Sequence, residues 1–118
     1  MQKDFSIVIP VFNEEDSLRE LMSNIKKAFS GTKKTYEVIF IDDGSKDRSL
    51  DILKRLASEN KNVRVLSFRK NIGKSPALAL GFREAGGQYV VTLDADLQDD
   101  PANIMPLFKK LTRGDYDL

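Results

Sequence analysis

Two aspartates stand two positions apart in Asp94-Ala95-Asp96, and an amide follows at Gln98. Carboxylate and amide oxygens suit a hard divalent cation, Mg²⁺ or Mn²⁺, whose remaining positions are filled by water and phosphate. Asp99 and Asp100 suit a different task, capping the turn that enters a helix at Pro101. A second acidic pair, Asp42-Asp43, can accept hydrogen bonds from the ring N–H of a base or from ribose hydroxyls. The following Gly44-Ser45 also allows one of the two to serve a turn, with Ser45 or Asp47 as a cap. Asn71-Ile72-Gly73-Lys74 offers close backbone approach and a cation, a combination that suits an anionic ligand. A basic stretch, an acidic stretch and a carboxylate pair together suggest a nucleoside diphosphate bridged by a divalent cation.

Composition narrows the chemistry further. The 118 residues contain no His and no Cys. A Ser-His-Asp triad, a thiolate nucleophile, a disulfide and a His- or Cys-ligated metal are therefore excluded. Nineteen bases against eighteen acids leave a net charge of +1, no basis for nucleic-acid binding. The distribution says more than the total. Residues 60–83 carry six bases and no acid, and residues 85–108 carry four acids and no base. An EF-hand starting at Asp94 fails, because its sixth position is Asp99 and its twelfth is Met105. Neither G-x-G-x-x-G nor G-x-x-x-x-G-K-[ST] occurs. No apolar run reaches the ~18 residues of a membrane span, and no signal peptide is evident, so the expected compartment is the cytoplasm.

These residues need elements to position them. Phe5 to Phe12, Tyr36 to Ile41, Val63 to Phe68 and Tyr89 to Leu93 are short apolar runs, as expected of buried strands. Between them Leu18, Leu21, Met22, Ile25 and Phe29 repeat at helical spacing, and so do Leu50, Leu53, Leu56 and Ala57. Asn13 or Asp16 is expected to cap the first helix. Ser75-Pro76 opens a third helix that is apolar almost all round, which predicts burial. Asp100-Pro101 opens a fourth, with Pro106 limiting where its regular part begins. The order β-α-β-α-β-α-β-α predicts an α/β fold with a parallel, Rossmann-like sheet. In such sheets ligands bind beyond the carboxyl ends of the strands, where every polar cluster named above falls. Asp115 to Leu118 reads as the approach to a fifth strand, so the chain is expected to be the first part of a larger domain.

The runs SIVIPVFNEEDSL, VIFIDDGSKDRS, RKNIGKSPALALGFREAGGQYVV and TLDADLQDDP, in this order, resemble the family-2 glycosyltransferases of the GT-A fold. The resemblance runs from Phe5 to about Leu111 and is greatest to the dolichol-phosphate mannose synthase-like and polyprenyl-phosphate glycosyltransferase branch. It implies that residues 1–118 are the nucleotide-sugar-binding part of one GT-A domain. It implies an inverting, metal-dependent transfer of a hexose from a UDP- or GDP-sugar to a polyprenyl phosphate or glycan. Pro10, Phe12 and Glu14 would then line the nucleobase and ribose pocket, continued by Asp42 and Asp43. Asn71, Gly73 and Lys74 would lie beside base and phosphates. Asp96 and Gln98 would hold the metal, with Asp94 nearer the ribose or a metal water. Many such proteins have Tyr where this one has Phe12, which keeps the ring face and loses the hydroxyl. The acceptor site and any catalytic base would lie after Leu118, where membrane segments would also be found. On that reading these residues alone are inactive. Two other readings compete: a receiver-like Mg²⁺-binding signalling module, and a non-catalytic fragment that associates through an open sheet edge.

Overall fold

A computed structural model describes residues 2–112. Its elements are β1 (Phe5–Val11), α1 (Leu18–Phe29), β2 (Tyr36–Asp43), α2 (Ser49–Glu59), β3 (Val63–Phe68), α3 (Lys74–Glu84), β4 (Tyr89–Thr92) and α4 (Ile104–Thr112). The expected fifth-strand approach lies outside the described residues. All strand pairs are parallel, in the order β3-β2-β1-β4. A receiver-like domain would place β3 next to β1. Here β1 lies between β2 and β4, which removes that reading.

The strand sequences explain the layering. In β1, Phe5, Ile7, Ile9 and Val11 point into one core and Val8 into another, by the two-residue alternation of a strand. In β2, Val38 and Phe40 join the first core while Ile39 and Ile41 join the second. The first core is large and takes in Leu18, Leu21, Met22 and Ile25 of α1 and Leu53 and Leu56 of α2. The second is small, and of α3 only Ala77 and Gly81 are buried.

That result corrects the expectation of a buried third helix. Pro76, Ala79 and Phe82 face outward, with Phe82 49% exposed. Apolar composition all round a helix signals burial only when something lies on both of its sides, and among the described residues α3 has the sheet on one side alone. Gly81 sets its closeness to that sheet: a Cβ there would collide with Val8 and press on Ile41.

Local caps also differ in detail from expectation. The residue before α1 is Ser17, not Asn13 or Asp16. Asp100 caps a single 3₁₀ turn (Pro101–Asn103) by accepting from Ala102 N–H at 2.9 Å, and α4 begins after it. Pro106 is tolerated because it falls in the first turn of α4, where no intrahelical donor is required.

Candidate functional site

The strand order reverses beside β1: β2 and β3 extend one way, β4 the other. Loops leaving the carboxyl ends of β1 and β4 therefore diverge and open a crevice. A cleft of about 230 Å³ lies there, lined by Pro10, Val11, Phe12, Glu14, Asp43, Lys74, Asp94, Ala95 and Asp96. Seven of these are residues singled out from the sequence, contributed by the carboxyl ends of β1 and β2, the loops after β1 and β4 and the first residue of α3. Val11 and Ala95 are additions that sequence reasoning missed, since apolar residues inside polar runs give no chemical signal.

One wall is built from the loops after β1, β2 and β3. Asn13 N–H donates to Ser45 Oγ at 2.9 Å, and Lys46 N–H donates back to Asn13 Oδ1 at 2.8 Å. Glu14 N–H donates to Ser49 Oγ at 2.8 Å and Glu15 N–H to Asp47 Oδ2 at 3.1 Å. Burial raises the Asp47 carboxyl pKa, but hydrogen bonds from Ser49 and from the Glu15 N–H outweigh it and hold the group below its ordinary value. Asn13 adopts φ 53°, a left-handed conformation that Asn tolerates better than most residues. This frame leaves Phe12 43% exposed at the cleft.

Asp43 is 4% exposed and spends its carboxylate on the loop after β3. Its Oδ1 accepts from Ile72 N–H at 2.7 Å and its Oδ2 from Asn71 Nδ2 and Gly73 N–H, both at 3.0 Å. Gly44, at φ +70°, lets that loop approach: a Cβ would run into the backbone of Lys70 and Asn71. Asn71 and Gly73 thus support the cleft from outside its lining. Asp42 also lies outside the lining, 1% exposed, with Oδ2 accepting from Ser45 N–H at 3.2 Å. Its Oδ1 is buried and has no hydrogen-bond partner among the described residues.

The opposite wall is the loop after β4. Asp94 Oδ1 accepts from Lys74 Nζ at 2.7 Å across the cleft. The hydrogen bond and charge of Asp94 raise the Lys74 pKa, with Asp96 and Asp99 adding to it. Asp94 N–H donates to Asp99 Oδ2 at 2.9 Å, and Gln98 N–H to Asp96 Oδ1 at 3.2 Å. Asp99 and Asp100 therefore serve the turn and the cap, as their positions suggested. Leu97 takes φ 69°, an uncommon conformation for a bulky residue. Gln98 is exposed and does not line the cleft.

Among the described residues no group of three or more acidic side chains gathers as a metal cage. The donor set still fits a cation of a particular kind. Asp94 and Asp96 put hard oxygen ligands on one cleft, and Mg²⁺-type ions are commonly held by one or two carboxylates together with substrate phosphates.

A parallel α/β sheet with a carboxylate-lined crevice at its switch point defines a ligand-binding domain of the Rossmann-like class. The chain belongs to glycosyl transferase family 2, whose model matches residues 6–118. It is 41% identical over 117 residues to the undecaprenyl-phosphate 4-deoxy-4-formamido-L-arabinose transferase of Pectobacterium atrosepticum. That match covers 98% of this chain and 36% of the relative, so the chain spans about a third of the relative's length. The fold is that of GT-A glycosyltransferases. S. aureus TarS, solved with UDP, superposes with a TM-score of 0.76 at 23% identity, covering 93% of this chain and 32% of that one. The mannosyltransferase PcManGT of Pyrobaculum calidifontis, solved with GDP-Man and Mn²⁺, superposes with a TM-score of 0.70 at 26% identity, covering 81% and 28%.

Proposed function

We propose that these residues form the nucleotide-sugar-binding part of a glycosyltransferase that moves a hexose from a UDP- or GDP-sugar to a polyprenyl phosphate or glycan, with inversion. The observation that carries this reading is convergence: seven side chains suited to donor-binding chemistry line one cleft, although they are spread in sequence from Pro10 to Asp96. PcManGT supports the donor class and the 41% identical transferase supports the acceptor class.

Each residue has a task that its surroundings suit. The exposed Phe12 ring offers an apolar face to a base. The Glu14 carboxylate at the cleft is an acceptor for ring N–H or ribose hydroxyl donors, while Asp42, buried behind the lining, braces the turn through Ser45 N–H. Asp43 holds the loop that carries Lys74. The Lys74 ammonium supplies positive charge for the diphosphate and stays protonated throughout the neutral range. Asp94 and Asp96 would hold Mg²⁺ or Mn²⁺, which when bound offsets phosphate charge and stabilises a leaving diphosphate. An acceptor phosphate is already anionic and needs no strong base to attack the anomeric carbon, whereas a hydroxyl acceptor needs one. Among the described residues no helix is long and apolar enough to cross a membrane. With a lipid acceptor, the whole protein would work at the cytoplasmic face of a membrane.

Calorimetric titration with UDP and GDP, with and without Mn²⁺, tests the reading. One of the two nucleotides binds, more tightly with Mn²⁺, and Asp96→Ala removes the metal's contribution. No binding of either, with Asp96→Ala indistinguishable from the parent chain, contradicts it.

A further inference from the structure

A helix-capping serine normally turns its hydroxyl onto the first backbone N–H groups of its own helix. Ser17 stands at that position of α1 and makes no such bond. Its hydroxyl instead lies 2.6 Å from the carbonyl oxygen of Ala95, 78 residues away in sequence. Glu14 O and Glu14 Oε2 are farther from it, at 3.2 and 3.1 Å. One hydroxyl hydrogen cannot serve three acceptors, and the shortest contact takes it. The Glu14 carboxylate is then left facing the cleft for a ligand.

Ala95 is the middle residue of Asp94-Ala95-Asp96. It is 5% exposed and packs into the large core, with its carbonyl held by Ser17. Both of its neighbours line the cleft. At the start of this loop Leu93 N–H donates to Val8 O at 3.2 Å, carrying the β4–β1 pairing one residue further. Beyond Leu93 the loop's other backbone hydrogen bonds among the described residues are local, between residues 94 and 99 or 96 and 98. Beyond them, the Lys74–Asp94 ion pair is exposed at both side chains. Past the strand end at Leu93, the loop that presents the two carboxylates therefore has one buried long-range hydrogen bond among the described residues, at the residue between them.

We infer that Ser17 is a positioning residue: its hydroxyl fixes the Ala95 carbonyl so that Asp94 and Asp96 are presented together to a cation and a diphosphate. The inference rests on the proposed function for what the two carboxylates bind. Its structural content, a fastened loop, does not depend on that reading. The same bond joins the nucleoside side of the cleft to the metal side, since Ser17 closes the loop that begins at Phe12.

Ser17→Ala removes the hydroxyl and no cap. Ser17→Thr keeps the hydroxyl and serves as the rescue. Hydrogen exchange of the chain without ligand reads the fastening directly. Peptides covering residues 93–99 exchange at least about tenfold faster in Ser17→Ala, return towards the parent rate in Ser17→Thr, and leave β1 to β3 unchanged. Equal exchange at residues 93–99, or faster exchange everywhere, overturns the proposal. A second arm compares UDP and GDP affinity with and without Mn²⁺. Groups that orient metal ligands typically change metal affinity about 10- to 100-fold when lost. Ser17→Ala lowers the Mn²⁺-dependent gain by about tenfold and leaves metal-free binding unchanged. Equal loss in both conditions overturns the positioning role. If the parent chain binds neither nucleotide, the functional reading fails, and the exchange arm still decides for or against the fastening.

Discussion

The two walls of the cleft are built differently. The wall formed by the loops after β1, β2 and β3 is laced by long-range hydrogen bonds, with Asp43 alone taking three donors from residues 71–73. The wall after β4 rests on a four-residue strand and on turns closed by its own aspartates. Beyond Leu93, which still pairs with Val8, its one buried outside hydrogen bond among the described residues comes from Ser17. A base and ribose have fixed shapes and reward a prebuilt pocket. A cation shared with phosphates needs carboxylates that are exposed, close and free to adjust. The difference follows from that division of labour, and it makes the two walls respond differently to substitution.

The largest effect is expected at Asp43. Asp43→Ala strands several donors next to a buried position and should cost about 3 kcal/mol, read as a lower urea midpoint. Gly44→Ala should come next, at about 2 kcal/mol, from left-handed strain and a collision with the Lys70 backbone. Lys74→Ala should cost under about 1 kcal/mol, because its pair with Asp94 is exposed, yet should weaken diphosphate binding. Asp96→Ala should leave stability within about 0.5 kcal/mol and remove only the metal's share of nucleotide affinity. Comparable destabilisation by Asp96→Ala and Asp43→Ala would break the contrast between the walls.

pH offers a finer test of the laced wall. The Asp47 carboxyl sits below its ordinary value of 3.8 in the folded chain. Its contribution to stability is therefore present above 3.8 and lost as pH falls through the lower folded value. Asp47→Asn should flatten the acid limb of a stability–pH curve below 3.8 and leave the neutral region's slope unchanged. Lys74 has the opposite sign: its contribution is present below 10.5 and is lost only as pH rises through its raised value.

Much of this was legible in the sequence. Strand and helix order followed from short apolar runs alternating with helical periodicity, and the polar clusters marked the carboxyl edge. Strand order was not legible, and it is strand order that opens the crevice between β1 and β4. The exposure of α3 was missed because an apolar helix does not reveal whether one or two layers cover it. The interior Gly81 was the available sign of close contact on one side. Asp43 could be named as a site residue, but its use as a clasp for residues 71–73 could not, because hydrogen-bond partners 28 to 30 positions away leave no local pattern. Ser17 was hidden for a related reason: a serine before a helix looks like a cap, and only the direction of its hydroxyl shows otherwise.

The central claim is that one cleft holds a nucleoside diphosphate and a divalent cation together. Mn²⁺ broadens NMR signals of nearby nuclei, so its location can be read residue by residue. With UDP or GDP present, substoichiometric Mn²⁺ should broaden the amide signals of residues 94–98 and of Val11 and Phe12, and do so far less without nucleotide. Broadening that ignores the nucleotide, or that centres on acidic residues away from this cleft, would contradict the account.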